Sequence, residues 1–421
     1  MSLALAAAQI ITPLELIEDG IVLVQDQIIR AVGPRREVAV PPGVRTIDLG
    51  DKILAPGFVD VHIHGAAGHD VMEATPEALE AVAAFVLQHG TTSFVPTTLS
   101  APLEVLLRSL EGLNATIRFW KKSSSGAAPR ALLAEPLGIH LEGPFLSAEC
   151  RGVHPREHLQ RPSLALFEQM LAAAEGSVRI LTLAPELEGA AELQAAAMRS
   201  GVRVAVGHSN ASYEQAMRAI NAGAAHAVHV FNAMRPFAHR DPGILGAILT
   251  DDRVVAEVIA DGVHVSEPAL RLLLRSKGPS RVALVTDGVS ATGMSPGRWV
   301  QASTPVPRQA RMPVPPGQFL LGGMEIFVAA DPRTGQLACR NCEGKLAGSV
   351  LTQDRAIQNM MRLTGVSLRE AVLMATSVPA QLAGVAERKG CLRPGADADF
   401  VVLDSGGVVV GAMVGGVANF L

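Results

Sequence analysis

The sequence predicts an α/β chain: a (β/α)8 TIM-like barrel in the middle, with a small β-sandwich domain formed by both termini. Three observations carry this expectation. Between residues 58 and 286, eight short apolar, β-branched runs alternate with segments of helical periodicity. Both ends read instead as short strands separated by Gly and Pro turns. No Gly-x-Gly-x-x-Gly follows the first barrel strand, which disfavours the competing doubly wound sheet. The expected boundaries are residues 1–55 and 385–421 for the β-sandwich and 56–384 for the barrel.

The terminal strands are expected at 21–24, 28–32 and 46–49, and again at 399–403, 407–410 and 412–414. Chain ends commonly lie close together, so one small domain can take both. The barrel strands are expected at 58–64, 92–96, 136–141, 178–183, 202–206, 225–230, 254–259 and 281–286. Helices are expected at 76–88, 102–113, 163–174, 189–199, 212–222 and 267–276, with later ones near 353–363 and 367–376. Residues 114–130, with Lys121-Lys122-Ser-Ser-Ser-Gly, read as a loose loop. Residues 294–345 read as an excursion with hairpins near the mouth, marked by Pro305-Val-Pro307 and Pro313-Val-Pro-Pro316.

Composition excludes several classes. With 421 residues, 48% of them hydrophobic, the chain can bury a large core. Net charge is −4, and no basic run exceeds Arg35-Arg36 or Lys121-Lys122, so nucleic acid is not an expected partner. Four cysteines make no disulfide framework in a chain this long, and Cys339-Arg-Asn-Cys342 reads as two ordinary thiols near a hairpin. No Lys or Arg precedes Arg30, so the apolar start lacks a secretory n-region. No run of about 18 apolar residues suggests a membrane span. A soluble cytoplasmic protein is expected.

Chemistry in such a barrel sits at the C-terminal ends of the strands. His62 and His64 lie two apart at the end of the first strand and share one face. Glu142 follows the third strand, His208 the fifth, His229 the sixth and Asp287 the eighth. Each alone has an ordinary structural reading, as a core histidine, an ion-paired acid or a helix cap. Six together at five strand ends do not. His226 falls inside the sixth strand at a parity opposite to His229 and reads as core, while His69 and His89 suggest no role. Imidazoles with a carboxylate suit Zn²⁺ first, and also Fe, Co or Mn. An ion with an open position would lower the pKa of a water toward neutrality. Asp287 is not needed to fill a mononuclear site, so it is free to carry a proton from that water to a poor leaving group such as an amine.

The motifs PGFVDVHIHG (56–65), GIHLEGPFLS (138–147), RGVHP (151–155), LAPE (183–186), VGHSNAS (206–212), HVFNAM (229–234), HRDPGILGAIL (239–249), IADGVHV (259–265), LVTDGVSATG (284–293) and LAGSVLT (346–352) run through nearly the whole chain. Together they resemble the amidohydrolase superfamily and, within it, the N-acetylglucosamine-6-phosphate deacetylase family. The resemblance implies that Glu142, His208 and His229 hold one divalent metal, and that His62 and His64 hold a second where one is used. It implies Asp287 as general base and then acid. Val153 and His154 would face the sugar and its N-acetyl group. Asn232, Ala233, Arg240 and His264 would hold the phosphate and hydroxyls, and Leu346, Ala347 and Gly348 would close over the substrate. It further implies a homodimer acting on a small sugar phosphate.

The residues themselves leave Arg240 open to an ion pair with Asp241, and His264 open to a place beside a Ser266 helix cap. None of the six lysines (52, 121, 122, 277, 345 and 389) falls at a barrel strand end. A site bridged by a carboxylated lysine, as in dihydroorotase- or hydantoinase-like proteins, is therefore disfavoured, with Glu142 in that place. The alternatives are a deacylase of another N-acylated sugar or amino acid, and a non-catalytic sugar-phosphate-binding homologue. The last predicts a broken ligand set or a missing base.

Overall fold

Residues 2–124, 132–294 and 319–420 are described in the computed structural model. The barrel strands are, in order, Phe58–Ile63, Thr91–Thr98, Ile139–Glu142, Val178–Leu183, Arg203–Val206, His226–Ala227, Val255–Val258 and Val282–Leu284. Each runs parallel to the next. The ring closes at its mouth, where Ile63 bridges Gly288. The first two strands are buried along their whole length, as strands between a filled barrel and a shell of helices must be.

The helices form where the apolar spacing places them. Pro76–Gln88 starts at a Thr75 cap, whose hydroxyl accepts from the Ala78 N–H, and Pro76 occupies its first turn. Leu79, Val82, Ala83 and Val86 turn one face of it onto the barrel. The next helix corrects the sequence reading. It spans Leu103–Ser124 instead of stopping near 113, because Leu106, Leu110, Leu113, Ile117 and Trp120 continue one buried stripe. The rest of the expected loop, from 125 on, lies outside the described residues. A helix at Gly243–Thr250, which the sequence reading left out, supplies the crossover between the sixth and seventh strands. Its Gly and Ile content gives no polar face, and nearly all of it is buried.

Both termini enter one eight-stranded sheet. Its central strand, Ser2–Ile11, pairs antiparallel with Leu16–Gln25 and parallel with Arg45–Asp48 and Ile53–Pro56. Ile53–Pro56 in turn pairs with Phe400–Leu403. The Ala-rich Ser2–Ile11 carries little β-propensity and was not anticipated as a strand. Its small side chains suit the close packing of Ala4 and Ala6 beside Ile21. The other face builds a separate core from Leu5, Ile10, Val22, Ile29, Leu54, Phe400 and Met413.

The expected excursion contains a three-stranded antiparallel sheet, Phe319–Leu321, Met324–Ala330 and Leu337–Asn341. Its Phe319, Leu321, Ile326, Val328 and Cys339 pack on Leu99, Val289 and Ala347 beside the barrel mouth. The Gly322 N–H donates to Asp70, and Ser290 donates to the Leu320 carbonyl. The proline pairs at 305–316 lie outside the described residues. No helix among the described residues is long and apolar enough to cross a membrane.

Candidate metal centre and active site

Six strand-end residues named from the sequence meet in one buried cluster. Glu142 is its hub. Its Oε1 lies 2.9 Å from His229 Nε2, 3.1 Å from His208 Nε2 and 3.3 Å from His62 Nε2. Its Oε2 lies 3.3 Å from His64 Nε2. Asp287 Oδ1 is 3.1 Å from His64 Nε2 and 3.8 Å from His62 Nε2. Three of these positions need unusual backbone: His208, His229 and Asp287 have φ of 46°, 25° and 49°. Non-glycine residues in the left-handed region carry strain, which persists where the surroundings over-determine it. The sixth strand ends after Ala227, so the chain can turn there and bring His229 into the cluster.

The donor set fits a divalent cation. His208 Nδ1 donates to the Cys150 carbonyl at 3.0 Å, and His64 Nδ1 to the Thr97 carbonyl at 3.0 Å. In its neutral form each therefore turns an unprotonated Nε2 into the cluster. His208 and His229 face each other Nε2 to Nε2 at 3.1 Å, and the buried Nε2 of His62 has no hydrogen-bond partner. His62, His64 and Asp287 form one group of converging ligand atoms, and His62, Glu142 and His229 another. Among the described residues, no Lys or Arg pairs with Glu142 or Asp287. Burial pushes His64 down, but the Asp287 and Glu142 carboxylates draw it up to about 9. Burial likewise opposes charge on His62, yet Glu142 and Glu257 lift it well above its ordinary value. The cavity calls for positive charge, and an ion would supply it.

His154 also reaches Glu142, at 3.3 Å from Oε2, but as a donor. The Ser100 N–H points at its Nδ1 at 3.2 Å, so Nδ1 accepts and Nε2 carries the proton. Burial holds this imidazole neutral, down at about 4. Burial raises Asp287, but the His64 hydrogen bond and the neighbouring imidazoles bring it below the ordinary carboxylate range. It is a base as it stands.

The remaining candidates have the following surroundings. Val153 packs against the excursion sheet, and Asn232 donates its side-chain N–H to the His229 carbonyl. Ala233, also at positive φ, accepts from the Ser209 N–H. Ala347 is buried and Leu346 half-buried. Gly348, at φ +56°, comes so close to the Asp287 carbonyl that a Cβ would sit 2.8 Å from it. His264 stands two residues before Ser266, the N-cap of the Glu267–Lys277 helix, and is held by Asp261, Nδ1 to Oδ2 at 2.6 Å. Arg240 is exposed and has no partner among the described residues, because Arg235 takes Asp241.

Sequence reasoning missed the groups beneath the ligands. Glu257, in the seventh strand, lies 2.9 Å from His62 Nδ1 and 2.7 Å from His226 Nε2, and accepts from the His229 N–H at 3.2 Å. His226 is core, as expected, but it is a polar core. The signal was present: Glu257 is a lone charge inside the apolar run Val254–Ile259. His140 is an ordinary buried imidazole between the Val61 carbonyl and Thr182, pushed down by burial to about 3. His69 and His89 pair with Glu73 and Asp354. Cys339 is buried with its thiol pushed up to about 12, while Cys342 is exposed; neither is oxidised.

The amidohydrolase family profile matches residues 53–418. An N-acetylglucosamine-6-phosphate deacetylase from Bos taurus is 40% identical over 85% of this chain and 81% of its own. An N-acetylgalactosamine-6-phosphate deacetylase from Escherichia coli O157:H7 is 34% identical over 96% of each chain. The solved structure of an N-acetyl-D-glucosamine-6-phosphate deacetylase from Mycobacterium smegmatis, in complex with N-acetyl-D-glucosamine-6-phosphate, superposes with a TM-score of 0.84 at 33% identity over 99% of both chains. Profile, relatives and the strand-end cluster agree: the chain belongs to the amidohydrolase family.

Proposed function

We propose that this chain hydrolyses the N-acetyl group of N-acetylglucosamine 6-phosphate, giving glucosamine 6-phosphate and acetate. The observation that carries the reading is Glu142, ringed by the Nε2 atoms of His62, His64, His208 and His229, with Asp287 alongside and no Lys or Arg partner among the described residues. Glu142, His208 and His229 would hold one divalent ion, and His62 and His64 a second across Glu142. Zinc suits these donors best. When bound, the ion polarises the acetyl carbonyl and lowers the pKa of the attacking water.

The chain's own groups do the rest. Asp287 takes the proton from that water as its oxygen adds to the carbonyl carbon. It returns the proton to the amide nitrogen as the C–N bond breaks, so the amine leaves neutral. His154, with its proton on Nε2, donates toward the N-acetyl end, beside Val153. His264 and Arg240 offer charge-assisted donors for the phosphate. Burial disfavours charge on His264, but Asp261 lifts it above its ordinary value. Asn232 and Ala233 would meet sugar hydroxyls, and Leu346, Ala347 and Gly348 would close the site.

The rest of the reading is a cytoplasmic homodimer, with residues 1–55 and 385–421 as the accessory domain and 56–384 as the barrel. The test is acetate release from N-acetylglucosamine 6-phosphate by protein of known metal content. The Escherichia coli relative favours a second reading, the C4 epimer N-acetylgalactosamine 6-phosphate, so both sugars belong in the assay. Turnover of the unphosphorylated sugar at equal kcat/KM would defeat the phosphate assignment.

A further inference from the structure

The seam between the first and eighth barrel strands is built differently from the other seven. The eighth strand ends at Leu284, and backbone pairing to the first strand occurs only at the mouth. There the Asp287 N–H donates to the His62 carbonyl at 2.9 Å, and the His64 N–H to the Gly288 carbonyl at 2.8 Å. Below that level, side chains replace the ladder. The Gln353 amide, 1% exposed, donates to the Val59 carbonyl at 3.2 Å and to the Leu284 carbonyl at 3.0 Å, one on each strand. Asp60, fully buried, accepts from both strands in turn. Its Oδ1 takes the His62 N–H at 3.2 Å and the Thr286 N–H at 3.4 Å, and its Oδ2 takes the Thr286 hydroxyl at 2.5 Å.

The two residues above this clasp belong to the site. Asp60 holds the backbone of His62, and Thr286 immediately precedes Asp287. Thr286 is held further: its Oγ1 accepts from the Gly288 N–H at 3.1 Å, and its carbonyl accepts from Ser349 Oγ at 2.5 Å. Asp287 itself sits at a strained φ of 49°, a conformation that needs support from its neighbours. Elsewhere round the ring, backbone hydrogen bonds fix strand against strand. Here the backbone bonds lie only at the mouth, and just below them one carboxylate and one hydroxyl join the strand of His62 to the residue before the proton carrier.

We propose that Asp60 and Thr286 are positioning residues for Asp287, forming a side-chain clasp that sets its distance from His62 and His64. This rests on the reading of Asp287 as the proton carrier. Both side chains are buried in the seam. The clasp acts on turnover by holding one strand end against another, and groups that orient reacting side chains lose about 10–100-fold when removed.

The experiment compares Thr286→Val, Thr286→Ser, Asp60→Asn and Asp287→Asn with the wild type. It measures kcat and KM for acetate release, metal bound per chain and the melting temperature of the metal-free protein. Thr286→Val keeps the shape and removes the hydroxyl. Its kcat should fall about 10–100-fold, with KM and metal content within about twofold of wild type. Thr286→Ser restores the hydroxyl and should bring kcat back to within about threefold. Asp60→Asn, which keeps Oδ1 as an acceptor and loses the acceptor for the hydroxyl, should lower kcat at unchanged metal content, and it decides the matter if Thr286→Val does not fold. Wild-type kcat in Thr286→Val or Asp60→Asn overturns the clasp. So does a kcat loss that merely follows lost metal or a lower apo melting temperature, or a serine that fails to rescue. Asp287→Asn separates the two ideas: if it still turns over, the proton-carrier reading fails first, and if it is dead while Thr286→Val is normal, only the clasp fails.

Discussion

Two buried charge clusters among the described residues differ in whether the chain completes them. At the junction of barrel and terminal sheet, Lys389 is 2% exposed and reaches Glu135 at 2.7 Å, Asp397 at 2.9 Å and Asp399 at 2.5 Å. Arg388 adds Glu135 at 2.5 Å and Asp397 at 2.6 Å, and the Gly415 N–H meets Asp399. Carboxylates and cations face each other, so the cluster is finished by the chain itself. At the mouth, the side-chain charge partners of Glu142 and Asp287 among the described residues are imidazoles, and the buried Nε2 of His62 makes no hydrogen bond. A buried charge cluster that closes on itself holds a fold together. One that stays open at a strand end is waiting for an ion and a substrate.

The largest expected effect falls on the open cluster. Asp287→Asn should cut kcat by about 10³-fold or more, since general acid–base groups contribute about 10²–10⁴. Bound metal and unfolding free energy should be unchanged, as read by metal analysis and denaturant titration. Chelation should abolish turnover of the wild type and restore it on adding Zn²⁺. Turnover that survives complete metal removal would put the open cluster in the same class as the closed one.

The closed cluster should behave in the opposite way. Lys389→Met removes the buried cation from Asp399, Glu135 and Asp397, of which Arg388 still holds the last two, and breaking such a buried pair costs about 3–5 kcal/mol. The loss should appear in denaturant unfolding, with kcat of the folded fraction near wild type. A stable but inactive Lys389→Met would show that the junction reaches the chemistry.

The two clusters were also unequally legible in the sequence. The open one could be read because function puts its residues at strand ends, and strand ends follow from apolar runs such as 58–64 and 254–259. The closed one could not. Glu135 and Lys389 are 254 positions apart, and only the pairing of Phe400–Leu403 with Ile53–Pro56 brings the C-terminal segment back to the barrel. The same limit hid Glu257 and Asp60, whose partners are distant in sequence: His62 and His226 for Glu257, Thr286 for Asp60. Local signals failed where packing overrode them. The Ala-rich Ser2–Ile11 gave no strand pattern, and the stripe to Trp120 was cut short by the Lys121-Lys122-Ser run that follows it.

Arg240 tests a third condition, a charge that is unpaired but solvated. It has no partner among the described residues, so Arg240→Ala should leave unfolding free energy within about 0.5 kcal/mol of wild type. Against the phosphorylated substrate, the loss of a charge-assisted hydrogen bond, about 1.5–3 kcal/mol, should lower kcat/KM by about 10–100-fold, mostly through KM. Against the unphosphorylated sugar it should change little. Equal losses on both sugars would move Arg240 away from the phosphate.

The smallest effect is a pH dependence confined to the closed cluster. Burial pushes Glu135 up, but Lys389 and Arg388 overcome it and hold the carboxyl at about 2, below its ordinary 4.5. A carboxylate depressed in the fold stabilises it above its ordinary value, and that contribution fades as pH falls from about 4.5 toward 2. Lys389 is opposed by burial yet lifted by Asp399 and Glu135 above its ordinary 10.5, so its contribution holds until pH passes 10.5. Asp399 works against the trend, since burial raises it and acid relieves that cost. The stability gap between wild type and Lys389→Met should therefore be flat from about pH 6 to 9. Below about pH 4.5 it should narrow by no more than about 1.4 kcal/mol per pH unit per proton bound. A gap that stays constant to pH 3 would mean that Glu135 is not the carboxylate Lys389 stabilises, and that Asp397 and Asp399 close the cluster without it.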